Sequence, residues 1–154
     1  MANTQAICTS FKVELLNGIH ALGTTVIRAG TTADSFKAAL YLVSATTGAS
    51  NTAYTVTGEV SGAGYTAGGV DLTGAVDWVA PSSTSTTAFS TPTASFVYTT
   101  VTLSVAFDAV MVYNSTQSNK AVSVHTFGSQ TITAGTLTLT MPTNDSSTGL
   151  IRLA

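Results

Sequence analysis

Residues 61–70, SGAGYTAGGV, set four glycines (Gly62, Gly64, Gly68 and Gly69) around one aromatic, Tyr65, between two β-rich halves of the chain. Glycine populates positive φ about as readily as negative, so this density marks a place where the backbone turns in conformations that a Cβ resists. The flanking halves must therefore meet at a tight, glycine-built structural turn, with Tyr65 pinning it to the core. A phosphate cradle is the rival reading. It requires backbone amides that open a helix after a strand, usually beside a lysine, and here a strand follows and no lysine is near.

On either side of the turn, hydrophobic periodicity assigns the elements. Phe11, Leu15, Ile19 and Leu22 recur on one face of a helix, with Thr9 or Ser10 as its cap and Gly23 as its end. Gly18 inside that pattern costs about 1 kcal/mol relative to alanine, so the helix depends on docking its stripe against a sheet. A short strand over 25–28 follows, and FKAALYLV (36–43), apolar on both faces, is a central strand. Residues 44–52 form a loop, 53–60 an extended piece, and the chain resumes as strands at 70–73 and 76–79, the latter with the only tryptophan, Trp78. PSSTSTTAFSTP, at the heart of 80–93, reads as an exposed Ser/Thr/Pro-rich loop with only Phe89 to bury.

Beyond it, 95–100 and 101–113 hold two or three strands, and 121–127 pairs with the last of them as a hairpin across a polar turn. A second hairpin is predicted over 131–141, turning at Ala134–Gly135, with Leu137, Leu139 and Met141 on one face and Thr136, Thr138 and Thr140 on the other. A last strand closes the chain at 150–154. The expectation is one all-β domain over 1–154, an antiparallel β-sandwich of jelly-roll kind with about eight strands and one N-terminal amphipathic helix, preceded by an N-terminal arm at 1–9. At 154 residues, such a domain buries roughly 70% of its unfolded surface without staples.

Composition narrows the function classes. Charged residues are 8% of the chain, against about 25% in ordinary domains, so its surface is polar through hydroxyls. A surface so poor in charge has little electrostatic protection against association, which suits a protein covered by partners. Its five bases are scattered, which leaves phosphate neutralisation nothing to work with and excludes nucleic-acid binding. No apolar run approaches the ~20 residues of a transmembrane helix, and the N-terminus lacks the basic start and apolar run of a secretory signal. No membrane partner is expected. Cys8, the single cysteine, reads as a small buried apolar residue.

Chemistry is thinly represented. His125, in VSVHTFGS, is the histidine of the β region, but the abundance of serines around it removes specificity from a Ser–His–acid triad. His20, beside the apolar stripe, reads as structural. Seven single acids nominate no glycosidase pair, and two histidines and one cysteine far apart lack metal-ligand spacing. No catalytic, cofactor or metal site is expected. The sequons at Asn114 and Asn144 are read as coincidental.

The order LLNGIHALG, FKAALYL, GAGYTAGG, AVMVYNS, HTFGSQTITAGTLTLTM and GLIRLA resembles the small virion structural proteins of tailed bacteriophages. The most specific part is GYTAGG (64–69); 24–34 and 80–93 are additional to the shorter members. The resemblance implies a non-enzymatic capsid decoration (cement) protein, made in the host bacterial cytoplasm. It would act on the outer capsid surface as a homotrimer, bridging subunits of the major capsid protein. A tail, head–tail or fibre-attachment component is the alternative, and a glycan-binding β-module with Tyr65, Trp78 and Phe89 as platforms a further one. Ala2, Asn3, Thr4 and Gln5 of the arm and Pro81, Phe89 and Pro92 of the loop are the candidate interface, being polar or short of core residues and able to order on binding.

Overall fold

Alternation and apolar runs become eight strands: β1 (Ala6–Ile7), β2 (Phe36–Leu42), β3 (Val70–Asp71), β4 (Ser82–Ser83), β5 (Ala88–Ser90), β6 (Phe96–Asn114), β7 (Lys120–Leu139) and β8 (Ile151–Leu153). The computed structural model describes residues 2–8, 10, 11, 15, 19, 20, 22, 34–71, 78, 79, 81–84 and 87–153. They form an all-β fold of two antiparallel sheets, one in the order β1-β7-β6-β2-β3 and one in the order β4-β5-β8.

The central strand FKAALYL is where its double-sided apolar character requires it, between β6 and β3, with Ala38, Ala39, Leu40 and Tyr41 fully buried. A strand covered on both faces must be apolar on both, which is why it lacks alternation. Phe107, Met111, Val112, Val122 and Val124 complete the centre of the core, and Ile151 of the small sheet packs into it. Cys8 is buried there too.

Several sequence expectations are corrected. The two or three strands over 95–113 are one strand of 19 residues, and the hairpin expected to turn at Ala134–Gly135 is instead the interior of a strand of 20. Thr100 and Ala134 do adopt positive φ, 54° and 48°, but as bulges. The ladder continues through them, Tyr98 to Leu137, Val101 to Gly135 and Leu103 to Ile132, so the chain never reverses there. The true reversal is at 115–119, where Ser118 and Asn119 take positive φ. Threonine alternation survives: Leu137 and Leu139 are half-buried while Thr136 and Thr138 are exposed.

Part of the expected loop over 80–93 is not exposed. Phe89, Ser90, Thr91 and Pro92 are buried, because β5 pairs with β8 and the hydroxyls find backbone partners. Ser90 Oγ donates to the Val79 carbonyl (2.7 Å), and Thr91 Oγ1 accepts from the Leu150 amide (2.9 Å). The N-terminal arm is likewise tied down. β1 pairs with β7, and Asn3 donates to the Leu42 carbonyl (3.0 Å) and Asp108 (2.6 Å) while accepting from the Thr47 amide (3.0 Å). Finally, the extended piece over 53–60 contributes only isolated bridges, at Ala53 and Glu59.

The helix expected from Phe11 to Leu22 lies mostly outside the described residues, as do the strand at 25–28 and residues 72–77. Of the stripe, Phe11 is fully buried and Leu15 and Leu22 pack against the core.

Candidate functional site: a tyrosine cage around Glu59 and the glycine turn

The glycine stretch makes two successive turns. Tyr65 N donates to the Gly62 carbonyl (3.2 Å) and Gly69 N to that of Thr66 (2.9 Å). Gly64, Gly68 and Gly69 have positive φ, so three of the four glycines are required by conformation. Gly62 is required by proximity: a Cβ there would lie 2.0 Å from the Thr102 carbonyl oxygen of β6. The first turn thus lies on the backbone of β6, to which Ala63 bridges, and the second on that of β2, 1.7 Å separating a Cβ at Gly69 from the Ala38 oxygen.

All five tyrosines of the chain gather around this turn, and a buried carboxylate organises them. Glu59 Oε1 accepts from the Tyr65 hydroxyl (2.7 Å) and from the Gly68 amide (2.7 Å), while Oε2 accepts from the Tyr54 hydroxyl (2.5 Å). Tyr65 accepts in turn from the Leu40 amide (3.0 Å), which ties the turn to the central strand. Tyr113 donates to the Gly68 carbonyl (2.8 Å), Tyr98 to that of Ala38 (2.7 Å) and Tyr41 to that of Thr55 (2.6 Å). Two stacked pairs close the cage, Tyr54 on Tyr113 with ring centroids 4.7 Å apart and Tyr65 on Tyr98 at 6.0 Å. A carboxylate with its lone pairs filled by hydroxyl and amide donors is one of the few ways to bury a charge without a large penalty.

Burial, with the Glu59 charge beside them, raises the hydroxyl pKa of all five tyrosines above the ordinary 10.0, that of Tyr113 to about 12. An acid whose folded pKa is raised stabilises the fold fully below its unfolded value and loses that contribution as pH rises through the folded one. The tyrosine contribution to stability is therefore expected to be constant up to about pH 10 and to fall steeply above it. Denaturant titrations at pH 9, 10 and 11, with tyrosinate absorbance near 295 nm appearing only on unfolding, check this.

Further titratable groups among the described residues are also engaged in structure. Asn114, fully buried at the end of β6, donates through Nδ2 to Asp34 (2.9 Å) and lies 3.1 Å from His20 Nδ1, while its side-chain Oδ1 accepts from the Gln117 amide (3.0 Å) and so fixes the 115–119 turn. His20 is thus structural, with Phe11 edge-on to its ring at 4.7 Å. His125 Nε2 lies 2.9 Å from Ser123 Oγ, the nearest thing to a catalytic dyad, but Ser123 is fully buried and offers an incoming carbonyl no path. Burial lowers the His125 pKa from 6.5 to about 4. A base so depressed contributes stability above its unfolded pKa that is lost as pH falls through its folded one. Unfolding measured between pH 7 and 4 is therefore expected to show declining stability in the wild type and a shallower decline in His125→Gln.

A cleft of about 410 Å³ beside His125 separates β1 from the small sheet and is lined by Gln5, Ile7, Thr87 and Arg152, whose guanidinium donates to the Ser147 carbonyl. Among the described residues no cluster of three or more His, Cys, Asp or Glu could hold a metal ion, and no helix is long and apolar enough to cross a membrane.

The expected turn residues Gly62, Gly64, Tyr65, Gly68 and Gly69 are thus brought together as one unit. The expected interface residues are not. Ala2, Thr4, Gln5 and Pro81 are exposed, Asn3 is half-buried in its hydrogen bonds, and Phe89 and Pro92 are interior. Of the expected aromatic platforms, Trp78 is buried against Phe36, Phe89 is buried, and Tyr65 is stacked on Tyr98. Sequence reading missed Glu59 and the other four tyrosines. The available signal was an acid placed between Gly58 and Val60, immediately before the glycine stretch, in a chain that has only seven.

No protein-family model matches the chain, and no curated protein or solved structure matches it. The geometry defines an all-β domain whose buried polar groups brace a turn.

Proposed function

We propose that the chain is a structural protein of a tailed-bacteriophage virion, acting as a capsid decoration (cement) protein that sits on the outer shell and bridges major capsid protein subunits. The observation that carries the reading is the fate of GYTAGG, its most specific point of resemblance: Tyr65, Gly68 and their buried partner Glu59 are committed to bracing the turn, as a rigid building unit requires. A surface polar through threonine and serine, with charge confined to few positions, suits a protein covered by neighbours and by further copies of itself. The reading is non-enzymatic, in keeping with a buried Ser123. Part of the same proposal is that the two sheets face one another as a jelly-roll-like sandwich with a helix over 11–22. The burial of Phe11 and the packing of Leu15 and Leu22 support that helix.

Burial of Trp78 and Phe89 weighs against the glycan-binding alternative. Cement stabilises by binding the assembled shell, so virions lacking the chain are expected to lose their genomes at lower temperature or milder salt stress than complete ones. An unchanged threshold overturns the proposal. Copy number per particle separates the alternatives: parity with the major capsid protein supports decoration, and a handful supports a tail or head–tail component.

A further inference from the structure

Most edges of the two sheets are blunted. β1, β3 and β4 have two residues each, β3 carries Asp71 in an ion pair with Lys37 (3.6 Å), and β8 has three residues with Arg152 in the middle. Short strands and edge charges are the usual defences against strand addition. β7 is different. β1 covers its outer side at Ser123 and Val124, and the Cys8 amide donates to the Val122 carbonyl, so from Thr126 to Leu139 the strand pairs, among the described residues, with β6 alone. No Asp, Glu, Lys, Arg or Pro occurs between residues 121 and 141. Backbone amides and carbonyls along such an edge require a partner strand or water.

The sequence of this edge is chemically palindromic: Thr131-Ile132-Thr133-Ala134-Gly135-Thr136-Leu137-Thr138. The bulge at Ala134 gives the palindrome its structural meaning. In an unbroken strand Ile132 and Leu137 would point to opposite faces, being an odd number of residues apart. The extra residue returns them to one face, where both are half-buried, and leaves Thr131, Thr133, Thr136 and Thr138 exposed on the other. A bulge ordinarily turns an edge away from neighbours. Here it falls at the centre of the repeat, so two copies related by a twofold axis through Ala134–Gly135 bend alike.

We propose that the outer edge of β7 is a self-association surface on which a second copy of this chain adds its own β7 antiparallel, about a twofold axis at Ala134–Gly135. Thr133 then faces Thr136 of the second copy, Thr131 faces Thr138 and Ile132 faces Leu137, pairings of the kind that stabilise antiparallel ladders. Charge favours the copy as occupant, since two neutral edges meet without like-charge repulsion. Eight paired residues bury less than the roughly 800 Å² per partner of a standard interface, so the contact is reversible and concentration-dependent. It is isologous and gives a dimer, whereas the phage resemblance implies a trimer. It does not depend on a place in the virion.

The test is the mass of the full chain in solution by light scattering across the micromolar range, for wild type and for the double variant Thr133→Lys/Thr136→Lys. Both threonines are exposed, so the lysines leave the fold intact and set like charges opposite one another only in the dimer. The expected result is a wild-type mass rising to twice the chain mass with concentration and a variant that stays at one chain mass. A wild type that remains monomeric, or any oligomer, trimer included, that the lysines leave unchanged, overturns the proposal. Should circular dichroism show the variant unfolded, a mixture of Thr133→Cys and Thr136→Cys chains treated with a short bifunctional thiol reagent decides. Cross-linked dimers in the mixture, well above those in either variant alone, uphold the twofold. Their absence removes it. Cys8 is buried and does not compete.

Discussion

Gly69→Val is expected to yield no folded protein. Gly69 has φ +76°, a region a β-branched residue rarely enters, and that strain alone costs on the order of 1–3 kcal/mol. The larger cost is steric. The new Cβ would lie 1.7 Å from the Ala38 carbonyl oxygen and 2.7 Å from the Ala39 Cα, both on the backbone of β2. β2 is hydrogen-bonded to β6 along its whole length, so the overlap is relieved only by detaching β3 and the turn from the sheet. Together the two effects exceed about 4 kcal/mol, a large share of the roughly 5–15 kcal/mol that holds a domain together. Soluble yield and denaturant midpoint measure the loss. Gly68→Val, with strain of the same kind (φ +92°) but only the Tyr113 hydroxyl nearby, at 3.1 Å, is expected to cost less. Gly128→Ala, with no atom within 4 Å of the added carbon, should stay within about 0.5 kcal/mol of wild type. A Gly69→Val protein of wild-type stability would show that the turn does not press on β2.

Glu59→Ala is expected to destabilise the fold by about 3–5 kcal/mol, because it strands the Tyr54 and Tyr65 hydroxyls and the Gly68 amide in the interior. Glu59→Gln keeps the shape and one acceptor oxygen. The tyrosine hydroxyls can rotate to accept from its amide, whereas the Gly68 N–H can only donate, so a smaller cost of about 1–3 kcal/mol is expected. Denaturant unfolding at pH 7 ranks the variants. Equal stability for all three would show that the carboxylate is not the organiser of the cage. Tyr65→Phe, which removes one donor and the acceptor of the Leu40 amide, should be non-additive with Glu59→Gln, since both alter one network.

Local chemistry was legible wherever one residue's environment follows from its neighbours in the chain. FKAALYL announced a strand buried on both faces, and the threonine alternation near the end of β7 announced one half-buried face. The glycine stretch announced its turn, and three of its glycines do have positive φ. The tyrosine cage was not legible. Tyr41 on β2, Tyr54 outside any strand, and Tyr98 and Tyr113 near opposite ends of β6 are far apart in the chain, and no periodicity links them to Glu59; tertiary folding brings them together. Nor was the burial of Ser90, Thr91 and Pro92, since a Ser/Thr/Pro tract looks exposed until backbone partners for its hydroxyls are known.

The sequence by itself determined that the chain is all-β, where it must turn on glycine, and that its surface is hydroxyl-rich and nearly uncharged. These follow from side-chain period, Cβ sterics and residue chemistry, which act within a few residues. Tertiary structure decided whether Ala134–Gly135 reverses the chain or carries it through. A positive φ suits a hairpin turn and a bulge equally, and the difference lies in whether β6 continues alongside to receive the hydrogen bonds. It also decided that Glu59, one acid among seven, holds the glycine turn in place, because a buried carboxylate is stable only where distant donors converge on it.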